Sequence, residues 1–117
     1  MRILTLATTT FFVTAAAAAA HAHAFLDHAE PRVGSTVPSA PREVVLTFSE
    51  SLEPAFSSVE VSDASGHSVG QGKPRISATT MRVGLKPLPP GTYRVRWHVL
   101  SVDTHTTEGN FTFQVGR

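Results

Sequence analysis

The chain has 117 residues, 41% of them hydrophobic and 16% charged, with no cysteine and a formal charge of +1. Removing the first 22 residues, read below as a targeting segment, leaves 95, enough for one small domain with a single core and too few for a multidomain enzyme. Without cysteine there is neither a disulfide scaffold nor a thiolate metal site. Beyond residue 22, nine Lys/Arg face nine Asp/Glu, so the basic excess of a charge-driven nucleic-acid binder is missing.

Residues 1–22 have the build of a secretory signal. Arg2 supplies the positive start, residues 3–13 are mostly apolar, and an unbroken alanine run over 15–20 follows. The apolar stretch breaks at His21, which makes it marginal as a membrane span of about 20 residues and leaves an uncleaved anchor helix as the lesser alternative. Two cut sites fit the small-x-small rule. Ala20-His21-Ala22 predicts cleavage before His23, and Ala18-Ala19-Ala20 predicts cleavage before His21. Either leaves a histidine at the new terminus. The expected organisation is a signal peptide over 1–22 and one exported domain over 23–117. That domain is expected in the bacterial periplasm as a monomer, with no membrane insertion of its own.

The remainder alternates with the period of β-strands. Residues 25–29 form a short edge strand before Pro31. Val44, Leu46 and Phe48 share one face, as do Val59 and Val61. Asp63-Ala64-Ser65-Gly66 is a turn, followed by a short strand around Ser68-Val69. Residues 70–79 carry the weakest pattern and are expected to be a loop. Met81, Val83 and Leu85 alternate again, after which Pro87, Pro89, Pro90 and Gly91 exclude a helix. Tyr93, Val95, Trp97 and Val99 face inward with Arg94, Arg96 and His98 outward, and Phe111, Phe113 and Val115 close the chain. About seven short strands bounded by Gly, Pro and Ser clusters predict an all-β, antiparallel two-sheet sandwich. Trp97 is the expected core plug, and the Tyr93 hydroxyl is placed to tie the Pro-Pro-Gly corner to the backbone.

The chemistry lies in the histidines. His67 falls in a turn and reads as solvated, His98 reads as an outward surface residue, and His28 as exposed or supporting. His23 and His105 differ. Cleavage before His23 puts an α-amine and an imidazole on one residue, and together they close a chelate ring on a single ion. Amine and imidazole suit Cu(II), which heads the divalent affinity order and favours tetragonal N,O geometry. Asp103 and His105 are spaced i, i+2, so on an extended chain they share a face. With His23 they form a three-nitrogen, one-oxygen donor set. The alternative cut, before His21, would instead bind Cu(II) through His21-Ala22-His23 alone, without Asp103 or His105.

Several tags occur in a fixed order: His23-Ala24-Phe25-Leu26 with Pro31 and Gly34-Ser35; Leu46-Thr47-Phe48-Ser49-Glu50 with Leu52-Glu53-Pro54; Pro90-Gly91-Thr92-Tyr93 with Trp97; and Ser101-Val102-Asp103-Thr104-His105 with Glu108-Gly109 and Phe111. In these the chain resembles the CopC-type periplasmic copper-binding proteins. The resemblance implies an immunoglobulin-like sandwich or Greek-key barrel. It implies a role in copper tolerance or homeostasis, with one Cu(II) per chain on His23, Asp103 and His105. Glu50 matches an acidic position beside that site, where it would orient an imidazole or the amine. A membrane copper transporter or another periplasmic carrier is the implied protein partner.

Two departures follow. Some members carry a methionine-rich Cu(I) site, whereas this chain has only Met81 beyond residue 22, on a core-type face, so no such site is expected. Members usually have glycine where this chain has Thr104, and a left-handed backbone there would strain a β-branched residue.

Two other classes of function compete. A copper enzyme with an N-terminal histidine brace would need a flat substrate surface and an open coordination position. Here 95 residues leave little room for such a surface, Trp97 and Tyr93 are expected to be spent on the core, and Asp103 fills a ligand position. A metal-free interaction module would leave the histidines incidental. The chain is therefore expected to be a carrier and not an enzyme.

Overall fold

The computed structural model describes residues 25–116. Eight strands follow one another: β1 (Leu26–Glu30), β2 (Thr36–Val37), β3 (Glu43–Phe48), β4 (Ser58–Asp63), β5 (Gly70–Ser77), β6 (Thr80–Leu85), β7 (Gly91–Leu100) and β8 (Thr106–Val115), with a single 3-10 turn over Pro54–Phe56 between β3 and β4. They form two four-stranded sheets, ordered β1-β3-β6-β5 and β2-β8-β7-β4. This is the all-β, two-sheet sandwich that the alternation predicts, and the immunoglobulin-like class that the resemblance implies.

The inward residues of the two sheets make one core. Val44 stands opposite Val83 and Leu46 opposite Met81 across β3 and β6. Val61, Val95, Val99, Phe111 and Phe113 face them from the second sheet. Met81 is fully buried, as its place in the alternation implies. A fully buried side chain of this kind contributes roughly 1.5–3 kcal/mol, so the alternation itself selects the register.

Tyr93 is buried and stacks on Phe113 at 5.6 Å. Its hydroxyl donates to the Pro89 carbonyl at 2.5 Å, tying the corner as expected. Burial pushes the phenol above its usual range.

Four features differ from the sequence reading. Residues 70–79 are not a loop, because Gly70–Ser77 is edge strand β5. Its period is hidden because only Gly70, Pro74 and Ile76 are even half-buried, and Pro74 is tolerated because the strand lies at a sheet edge. The register with β6 shifts between Gln71 and Arg75. The β5–β6 hairpin turns through Ala78, at φ +53°, and Thr79, without the Asn-Gly signal such turns favour.

The Ser68-Val69 strand is reduced to a bridge between Ser62 and Ser68. The two-residue strand β2 pairs with β8 in parallel, giving an otherwise antiparallel sheet one parallel edge. Trp97 is only half-buried and sits at the rim of the core, edge-on to Phe48 at 6.1 Å and tilted to Phe111 at 6.2 Å. There it lies over Gly109, its neighbour across the β7–β8 ladder, where a Cβ would fall 2.4 Å from the indole ring.

Candidate metal centre

β7 and β8 pair without interruption from Gly91↔Val115 to Leu100↔Thr106, so the connection over residues 101–105 projects from a rigid ribbon. The loop is closed by its own backbone. The Ser101 N–H donates to the His105 carbonyl at 2.9 Å, and the Thr104 N–H donates to the Ser101 carbonyl at 2.9 Å. Closing so tight a loop puts Thr104 in the left-handed region at φ +72°, the strained conformation foreseen for a β-branched residue there.

This backbone brings Asp103 and His105 together. Asp103 Oδ2 lies 3.4 Å from His105 Nδ1, with the side chains 31% and 50% exposed. Oδ1 faces the protein instead. It accepts a short hydrogen bond from the Ser101 hydroxyl and a longer one, 3.4 Å, from the His105 N–H. The Ser101 hydroxyl first, then the His105 N–H and imidazole, hold the Asp103 carboxyl below its usual range against the opposing effect of desolvation.

Two donors each about 2.0–2.2 Å from a common ion are roughly 3 Å apart at right angles and roughly 4 Å apart when opposed. The 3.4 Å between Oδ2 and Nδ1 falls between these limits. A carboxylate oxygen and an imidazole nitrogen at this separation fit a borderline transition-metal ion.

Hydrogen bonds also connect the start of β1 to this loop. The Phe25 N–H donates to Ser49 Oγ at 2.8 Å, and the Ser49 N–H returns a bond to the Phe25 carbonyl at 2.8 Å. Two residues further on, the Ser51 carbonyl accepts the Val102 N–H at 2.9 Å. Leu52 bridges to Ser101, and the Glu53 N–H donates to the Leu100 carbonyl at 2.8 Å. The segment 49–53 therefore touches the start of the described chain on one side and the 101–105 loop on the other.

His23 lies outside the described residues, as do the signal segment and both cut sites. Glu50 falls within the connecting segment and is half-buried, and its side chain makes no hydrogen bond or ion pair among the described residues. The other histidines have their own partners or positions. His28 Nε2 is 3.1 Å from Glu30 Oε1, His67 pairs with Asp63 at 3.6 Å, and His98 is exposed on β7 opposite Glu108. No group of three His, Cys, Asp or Glu side chains capable of holding a metal forms among the described residues. No helix among them is long and apolar enough to cross a membrane.

Ser49 and Ser101 stand within the ordered tags and Ser51 outside them, and the tags alone assign none of the three a role. Ser101 stands two residues before Asp103, and a serine opening the turn that carries the carboxylate is the signal the sequence offers.

Fold and loop together define an all-β domain that presents a carboxylate–imidazole pair at one end of its longest hairpin. The CopC domain matches residues 26–116, and the chain belongs to the CopC family. It is similar to protein YobA of Escherichia coli K12, at 36% identity over 98 residues covering 80% of this chain and 79% of that protein. Two crystal structures are also similar. CopC from Methylosinus trichosporium OB3b is 33% identical with TM-score 0.71, the match covering 80% of this chain and 93% of that one. PcoC, a methionine-rich copper resistance protein from Escherichia coli, is 36% identical with TM-score 0.70, covering 81% and 100% respectively.

Proposed function

We propose that this chain is exported, cleaved before His23, and carries one Cu(II) ion in the periplasm on the His23 amine and imidazole, Asp103 and His105. The observation that carries this reading is the Asp103–His105 pair, 3.4 Å apart, on a loop hydrogen-bonded to the same short segment that receives Phe25. His23 precedes Phe25 by two residues, a reach of at most about 7 Å for an extended chain. Copper is the cargo, consistent with the copper-resistance role named for PcoC. The protein acts as a carrier, with Glu50 orienting a ligand and with a membrane transporter or second carrier as recipient.

The intact mass of exported protein distinguishes cleavage before His23 from cleavage before His21. Competitive Cu(II) titration of the processed chain should give one ion per chain, with His105→Ala losing at least about tenfold while His98→Ala and His67→Ala change little. Equal losses in all three variants overturn the assignment, as does full affinity in a chain extended at its amino terminus. Ligation needs neutral imidazole and amine, with free pKa values of about 6.5 and about 7.7–8.0, so affinity should fall steadily from pH 8 to 5.

A further inference from the structure

Ser101 is the one polar side chain fully buried among the described residues, at 0% exposure. A buried hydroxyl in a native core is hydrogen-bonded, and its partner shows what it is for. All the polar groups of Ser101 are used inside one loop. Its N–H meets the His105 carbonyl, its carbonyl takes the Thr104 N–H, and its hydroxyl reaches Asp103 Oδ1 while lying 3.1 Å from the His105 carbonyl. The bridge to Leu52 anchors the same residue to the segment that meets Phe25.

We propose that Ser101 is the positioning residue of the site: it pins Asp103 Oδ1 from beneath and so leaves Oδ2, beside His105 Nδ1, as the single oxygen offered to copper. The inference rests on the reading of Asp103 and His105 as ligands. A carboxylate has two oxygens with about four acceptor positions. Here Oδ1 is engaged by the Ser101 hydroxyl and the His105 N–H, while Oδ2 faces the exposed imidazole. Asp103 is thereby restricted to one-oxygen ligation, which suits the tetragonal preference of Cu(II). Without the hydroxyl, the carboxylate is free to rotate and chelate through both oxygens or to turn toward water.

Partners that orient a metal ligand typically account for about 10–100-fold in affinity. In the signal-processed protein, Ser101→Ala should therefore weaken Cu(II) binding at least about tenfold and alter the copper EPR parallel parameters. Ser101→Thr, which keeps the hydroxyl, should stay within about threefold of the wild type. The deciding measurement is a double-mutant cycle with Asp103→Ala. A residue acting through Asp103 has nothing further to lose in that background, whereas a merely structural role would cost the same factor again.

A Ser101→Ala loss that persists undiminished beside Asp103→Ala overturns this proposal alone. So does unchanged affinity in Ser101→Ala, or a Thr variant as weak as the Ala variant. Wild-type protein that holds Cu(II) no better than micromolar, or Asp103→Ala that binds as tightly as wild type, overturns the ligand assignment and this proposal with it.

Discussion

Gly109→Ala is the sharpest perturbation of the fold near the loop. Adding a methyl to a strand glycine ordinarily stabilises by about 0.5–1 kcal/mol, because the unfolded chain loses freedom. Here the new Cβ would stand 2.4 Å from Trp97 Cζ2 and 2.6 Å from Cη2, and Phe48 and Phe111 hem the indole in at 6.1 and 6.2 Å. The ring must leave its seat. Overpacking of this kind costs about 1–3 kcal/mol. With about 2 kcal/mol as the centre, a domain of this size should melt roughly 8–16 °C lower. Trp97 is the single tryptophan of the chain, so its emission reports the displacement directly and should shift to the red. The control reverses the sign: with Trp97→Ala already in place, Gly109→Ala should be neutral or stabilising. A variant that melts within about 2 °C of wild type with unchanged emission, or that destabilises equally in both backgrounds, refutes the steric argument.

Three further outcomes are expected. Thr104→Gly relieves a left-handed backbone that costs an L-residue about 1–2 kcal/mol, against about 0.5–1 kcal/mol of added unfolded-state entropy, so the metal-free protein should melt a few degrees higher by circular dichroism. Tyr93→Phe removes the bond to Pro89, whose exposed carbonyl then turns to water, and should cost about 1 kcal/mol by urea denaturation with the slope unchanged. The Asp63 carboxyl is held low chiefly by the His67 N–H, and Asp103 chiefly by Ser101. Both are depressed in the native state, so the stability they lend is present above about pH 4 and lost as pH falls through their native values. A variant carrying Asp63→Asn and Asp103→Asn should accordingly show a flatter melting temperature between pH 5 and 3.

Much of the fold could be read from period-two alternation, because wherever one face is buried the pattern and the register are the same fact. Val44-Leu46-Phe48 and Tyr93-Val95 were legible for that reason. β5 was not: Gly70, Gly72, Lys73 and Pro74 lie on a sheet edge, where β6 supplies the pairing and the core asks little of the sequence. β2 spans two residues, too few to show any period. Trp97 misled through its size, since a large aromatic residue at an inward position also serves as a lid at the rim.

At the candidate site, the i, i+2 spacing of Asp103 and His105 was legible, although a left-handed turn at Thr104, not an extended chain, is what brings them together. The bonds that join Phe25 to Ser49 and Ser51 to Val102 run between backbone groups or a common hydroxyl, and a single sequence carries no trace of such pairing.

The flanks of the two sheets have a consequence for solubility. β1 is interrupted between Leu26 and His28, β5 carries Pro74 and a broken register, β2 is two residues long, and β4 is covered by the 67–69 segment through Asp63–His67 and Val69–Val61 backbone bonds. None of the four offers a long, straight row of unmet amides to a second molecule. A small cysteine-free β protein, with no disulfide and with no α-helix among the described residues, is thereby guarded against the strand-on-strand stacking that seeds aggregation.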